Sequence, residues 1–476
     1  FIILLSIIFF IFFNFLFIFF LYFTKNNHFI LKKYNSINSS LLSIYPFLVL
    51  LILFNFSHIQ LNGKFGDLDS YYIKQYFLLF IVGTLSLLSL FHNKSFNFIE
   101  NIKFSKIYYV VFFLIILFLI YDPGLRTGFF HQYHFLEPII DLRAGKSLLI
   151  DTDNLYGVFI FYILKFIFDI LPMSLKGLSF LSICLYFIQY LLIYLLFYYI
   201  TNSKFYSFLS VIILIILQYF PFWGPAFVYT NGGPIRFLPG LLLIFLEYKS
   251  LRFKSFFNFY NILVICILGF CFGSGIDYFI FGFTSILCMK LYKLLIQYRN
   301  SKELNNFIIF YLAIFIVCLS FQFLFFYFSY LKTNTLPDWN NYLQYIFWYS
   351  SSDWMLPIRP FGIWIYFILI PLLAIYFIFY KKFLFLHNNF NKELYIISGL
   401  IGLAFAQFAY FLGRSHTQNL FSISSPIIFI FLVGIYFLSK NANLIDKKHF
   451  RSLIFCIYFV LFFSIIKISP NVYKDF

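Results

Sequence analysis

Apolar runs close to 20 residues long recur along the whole chain, separated by short polar connections. As a helix, each run is long enough to cross about 30 Å of hydrocarbon. Lipid offers no partner for unpaired backbone N–H and C=O groups, so such runs must be helical. A transmembrane barrel would show shorter alternating segments, and the sequence has none. The pattern therefore predicts an all-α, polytopic transmembrane helical bundle. Spans are expected near 1–23, 41–57, 75–91, 107–121, 178–200, 205–220, 235–247, 258–272, 278–290, 305–329, 359–380, 394–411, 420–438 and 452–469. The first run, Phe1–Phe23, reads as a retained helix rather than a signal segment. Tyr156–Leu171 stands apart: it carries Lys165 and Asp169 and stops at Pro172, which predicts an amphipathic helix lying on the interface.

Charge tests this topology, because cytoplasmic connections collect Lys and Arg. One alternate set of connections holds Lys25, Lys32, Lys33, Lys94, Lys103, Lys106, Lys204, Lys249, Arg252 and Lys254. It also holds Lys290, Lys293, Arg299, Lys302, Lys381, Lys382, Lys392, Lys440, Lys447, Lys448 and Arg451. These are 21 of the 34 basic residues. The other set holds 12 of the 17 acids. The basic set is assigned to the cytoplasm, which gives about 13–14 spans. The parity requires that Tyr156–Leu171 not cross; otherwise every later basic loop would fall outside.

Composition agrees. Hydrophobic residues make up 62% of the chain and charged residues 11%, against about 25% charged in a soluble domain. A net charge of +17 suggests nucleic acid only until its distribution is seen. The alternation above accounts for it, and no nucleic-acid partner is expected. The six cysteines are scattered through apolar runs without a CxxC pair, so neither a metal nor a disulfide framework is indicated. No dinucleotide fingerprint or P-loop appears.

Polar groups inside a membrane protein mark its chemistry, and they gather in five places. The longest non-cytoplasmic connection, Asp122–Leu155, contains Asp122, Arg126, His131, His134, Glu137, Asp141, Arg143, Asp151 and Asp153. His134, Glu137 and Asp141 have i, i+3, i+7 spacing and share one face of a short helix, with Pro138 expected in its first turn. The other places are Pro221–Arg236, Gly273–Asp277, Asp338–Arg359 with Trp339, Trp348 and Trp354, and Gly413–Asn419 with Arg414 and His416. By the charge argument all five lie outside.

At Asp122–Pro172 the sequence resembles the GT-C superfamily of polytopic glycosyltransferases. Asp122 follows an early helix in the first large outer loop. LRAGKSLLIDTDNLYGVFIFYILKFIFDILP resembles the segment that opens the interfacial helix in bacterial relatives, and GGPIRFLPG and GRSH look like recurring elements. The resemblance covers about 107–440. It divides the chain into N-terminal helices (1–105), a core with the outer loop and interfacial helix (106–220), and remaining helices with aromatic outer loops (221–476). It departs from the family in having a lone Asp122 before Pro123 where a paired acidic motif is usual.

The resemblance implies transfer of a sugar from a polyprenyl-phosphate donor to a glycan, lipid or protein acceptor. The reaction would take place at the outer face of a bacterial cytoplasmic membrane, among membrane lipids. Asp122, Glu137 or Asp141 would serve as general base, and Arg236 would meet the donor phosphate. His131, His134, Asp277, Arg414 and His416 would bind substrate. It names no cofactor, and a divalent metal on His131, His134 and Glu137 is compatible with these residue types.

Each residue also has a plainer reading. Asp122-Pro-Gly suits a helix-ending turn, Arg236 suits a snorkelling anchor, and the tryptophans suit an interfacial belt. Asp151 and Asp153 suit caps of the interfacial helix or its preceding turn. The rival functions are an O-antigen-type polymerase or ligase, which places its functional loop late in the chain, and a lipid-linked glycan transporter, which needs mid-helix charges and repeats.

Overall fold

The computed structural model describes residues 129–152, 156–219, 233–296 except 254 and 256, 301–338, 340, 364–384, 390–413 and 417–440, with 113, 114, 116 and 117. The spans expected at 1–23, 41–57, 75–91 and 452–469 lie outside these residues. Two compact units are present: one comprises Ile102–Pro357 with Phe367–Gly434, the other Phe1–Asn101, Ile358–Tyr366 and Ile435–Phe476. The contacts below belong to the first unit.

The described residues form helices: α1 Phe129–Arg143, α2 Phe159–Ile170, α3 Leu175–Thr201, α4 Lys204–Tyr219, α5 Pro234–Ser250, α6 Phe259–Ser274, α7 Ile276–Ile296, α8 Ser301–Thr333, α9 Trp364–Leu384, α10 Lys392–Gly413, α11 Thr417–Ser422 and α12 Ser425–Lys440. No strand occurs among them; an isolated bridge joins Leu148 and Thr152. The starts follow local chemistry. Ser174 and Asn258 accept the N–H of Gly177 and Asn261, Asn391 accepts those of Glu393 and Leu394, and Pro234 opens α5 where its missing N–H costs nothing.

Four of these helices are long and apolar enough to cross a membrane: α3, α7, α8 and α10, the last over Lys392–Leu412. They sit in two environments. Along α8, Leu312, Phe315, Ile316, Leu319 and Phe323 are all exposed, a contiguous apolar stripe that suits lipid and not water. By contrast, α10 is buried along most of its length, with Leu400, Leu403 and Ala404 fully enclosed. It packs closely on α7: a Cβ on Gly402 would lie 2.6 Å from the Thr284 carbonyl oxygen, so the small residue sets the approach. The shorter α5 carries Arg236 and Glu247, and both are buried. Their charges face neighbouring helices, which is the arrangement that makes them tolerable in an apolar bundle.

Pairs of side chains fix the helix directions. Arg236 near the start of α5 meets Asp277 at the start of α7, while Glu247 and Lys290, further along the same two helices, also meet. The helices α5 and α7 are therefore parallel. Tyr395 near the start of α10 meets Glu247, and Tyr410 near its end meets Arg236, so α10 runs the opposite way. Lys293 pairs with Glu303 across the α7–α8 connection, and Lys332 at the far end of α8 reaches the loop after α1. Tyr199 near the end of α3 contacts Lys249. This is the alternation that the charge pattern required. The Arg236 end is called outer and the Glu247 end inner, after that pattern.

Helix α2 has the features expected of the non-crossing segment. Its 12 residues cover about 18 Å, short of a bilayer. Phe161, Leu164 and Phe168 are buried on one face, while Tyr162, Ile163, Phe166 and Ile170 are exposed on another. Lys165 and Asp169 form a polar stripe between them, joined at 3.1 Å. Asp169 also pairs with Arg143 at 3.0 Å, and Arg143 donates to the Phe168 carbonyl. The Lys165 hydrogen bond holds the Asp169 carboxyl below its ordinary range, with desolvation opposing it and Arg143 adding to it. One protein face, one apolar exposed face and one charged edge is the surface an interfacial helix needs.

The outer loop between α1 and α2 is tied from two sides. Lys332 donates to the carbonyls of Gly145 and Lys146 at 2.7 and 3.1 Å, and the Asp338 N–H donates to Leu149 at 2.7 Å. Lys332→Ala is expected to cost about 1 kcal/mol. Hydrogen exchange should show faster exchange in residues 143–152 and no change at the inner end.

Candidate functional site at the outer end

The site starts from α1. Phe135, Ile139 and Leu142 are buried on one face, and His134, Glu137 and Asp141 lie on the opposite one. The shared face expected from the i, i+3, i+7 spacing is present, but Pro138 is not in the first turn. It lies inside a helix that begins at Phe129. Proline has no N–H to give to the carbonyl of residue 134 and is costly in that position; burial of Pro138 beside Phe135 and Ile139 supplies the compensating packing. Glu137 is exposed. Asp141 is tied to Lys146 at 2.8 Å, which raises the Lys146 pKa. Asp151 accepts the Ser147 N–H at 2.7 Å and so caps the turn preceding α2. Asp153 lies outside the described residues.

The chain then passes Tyr156, Gly157 and Val158. Gly157 has φ +83°, a left-handed conformation that side chains disfavour. A Cβ there would lie 2.1 Å from the Ser274 carbonyl oxygen. The Val158 N–H donates to Gly273 at 2.9 Å. This contact seats the outer loop on the α6–α7 turn that carries Asp277, and it places Tyr156 over Arg236.

Arg236 is the centre of the arrangement. Its Nε lies 2.8 Å from Asp277 Oδ2, an ion pair whose angle falls outside hydrogen-bond geometry. The guanidinium carbon lies 5.2 Å from the Tyr156 ring centroid and 4.7 Å from that of Tyr410, within cation–π range. Tyr156 stacks on Phe135 at 5.1 Å and meets His134 edge-on at 6.0 Å. Asp277 is the more exposed partner, at 30% against 7% for Arg236. Any ligand from the surface therefore reaches the pair from the Asp277 side.

Of the residues singled out by sequence, the structure brings together Arg236 and Asp277, with His134 one ring away through Tyr156. Asp141 is held in a separate pair with Lys146. Asp122, Arg414 and His416 lie outside the described residues, as does the side chain of His131, whose backbone is in the first turn of α1. Tyr410 lies three residues before the end of its helix at Gly413. Among the described residues, no group of three or more His, Cys, Asp or Glu is gathered to hold a metal ion.

Sequence reading missed Tyr156 and Tyr410, because a tyrosine in an aromatic-rich chain gives no signal of its own. It also missed Glu247, which was identifiable as a lone acid inside an apolar helix. Compared with known proteins, the chain matches no family model and no curated protein.

Half-burial lowers the His134 pKa from its ordinary value of 6.5, with Glu137 opposing part of the effect. The unfolded chain therefore takes up this proton first as pH falls. The contribution of neutral His134 to stability is full above about pH 6.5 and is lost as pH falls toward the folded-state pKa. Unfolding midpoints should drop over that window in the wild type, and the drop should shrink in His134→Gln.

Proposed function

We propose that the chain is a membrane glycosyltransferase of GT-C type that transfers a sugar from a polyprenyl-phosphate donor to an acceptor hydroxyl at the outer end of the bundle. The observation that carries this reading is the buried Arg236 guanidinium, held by Asp277 and two tyrosine rings, with His134 against one of them. A guanidinium has five N–H donors. Asp277 takes the Nε edge, and the Nη edge is assigned to donor phosphate oxygens. Charge neutralisation in a site of low polarity favours departure of the phosphate. Asp122 or Glu137 takes the acceptor proton. Helix α2, lying along the interface, places the loop at the depth where a lipid-borne headgroup sits.

The test separates charge from fork geometry. Arg236→Lys keeps the cation and loses bidentate contact, so donor KM should rise about tenfold with the fold intact. Arg236→Gln combined with Asp277→Asn removes both charges together and should lower transfer about 100-fold or more. Unchanged transfer in both variants would remove Arg236 from the reaction.

A further inference from the structure

The inner end of the same helices contains a second site. A cavity of about 490 Å³ opens there, with Glu247, Lys290, Lys293, Lys302, Glu303 and Lys392 in its wall. Its size falls in the range of small-molecule sites. Its wall carries four lysines against two glutamates, a net excess of positive charge. Lys290 pairs with Glu247 at 2.7 Å and Lys293 with Glu303 at 2.9 Å. Lys302 and Lys392 are exposed at its rim.

Glu247 points to the ligand. Its residue is fully buried. Oε1 accepts from both Lys290 and Tyr395, whereas Oε2 is buried and has no hydrogen-bond partner among the described residues. An acceptor left unsatisfied in such a place costs about 1–3 kcal/mol. A hydroxyl donor entering the cavity would satisfy it. We infer that this cavity binds a hydroxyl-bearing organophosphate, with its hydroxyl on Glu247 Oε2 and its phosphate between Lys302 and Lys392. Basic pockets between helices on the cytoplasmic side suit such headgroups. The same chemistry is offered by a glycerol-phosphate lipid headgroup and by a soluble glycerol phosphate. The site lies about 16 Å along α5 from Arg236 and does not depend on the transfer reaction proposed above.

The experiment uses the full chain in phosphatidylcholine nanodiscs. Glycerol 3-phosphate is titrated calorimetrically, and in a parallel arm the thermal midpoint is compared after phosphatidylglycerol is added to the discs. Saturable binding of glycerol 3-phosphate identifies a soluble source, and stabilisation by phosphatidylglycerol alone identifies the lipid. Either result supports the site, provided that Lys302→Gln with Lys392→Gln weakens it about tenfold or more. Both lysines are exposed, so this variant keeps the fold. No response to either probe, or a response that the double variant leaves unchanged, would overturn the proposal.

Discussion

Lys290→Met should destabilise the bundle by about 3–5 kcal/mol. The cause is Glu247, which is fully enclosed and relies on Lys290 at 2.7 Å for its counter-charge. After the substitution, the Tyr395 hydroxyl is its only remaining partner shown here, and one neutral donor does not compensate a buried carboxylate. Lys290 also sits 4.3 Å from the Phe310 ring centroid, so its loss loosens α8 as well. The double variant Glu247→Gln, Lys290→Met removes both charges and should recover most of the loss. SDS unfolding followed by circular dichroism gives both values. A single variant as stable as the wild type would mean that the Glu247–Lys290 pair does not hold the bundle together.

Gly157→Ala should be the most damaging small substitution at the outer end. It places a side chain in a left-handed conformation, costing about 1–2 kcal/mol, and drives its Cβ to 2.1 Å from the Ser274 backbone oxygen, so the backbone itself must shift. Overpacking of this kind adds about 1–3 kcal/mol. Gly145 is the control: it has φ +86° and nothing within 4 Å of its Cβ position, so Gly145→Ala should show the backbone cost alone. The two variants compared by unfolding isolate the steric part. Since Gly157 seats Tyr156 over Arg236, Gly157→Ala should also impair any activity of the outer end.

The apolar runs made the helices legible, and the positions of lysine and arginine made their directions legible. Arg236 with Asp277 at one end and Glu247 with Lys290 at the other run in the order that the charged loops require. That α2 is a short helix with a charged edge followed from Lys165, Asp169 and Pro172. What the sequence did not reveal was which charges meet. Arg236 and Asp277 are 41 positions apart, and only the parallel packing of α5 and α7 brings them to 2.8 Å. Pro138 was misplaced because α1 begins upstream at Phe129, well before the His134–Asp141 face on which its start was reckoned. The inner cavity went unseen because basic inner loops look alike whether they merely face solvent or line a site.

The outer end gathers one buried guanidinium, its carboxylate and two tyrosines, with His134 against Tyr156, and transfer from a lipid phosphate is the account proposed for it. The most direct test is the initial rate of sugar transfer from a panel of polyprenyl-phosphate sugars by the purified chain in lipid, with Asp122→Asn and Glu137→Gln measured beside it. The account predicts transfer from at least one donor and its loss in one of the two variants with the fold intact. No transfer from any donor would contradict the enzyme reading, and full transfer in both variants would contradict the assignment of the base.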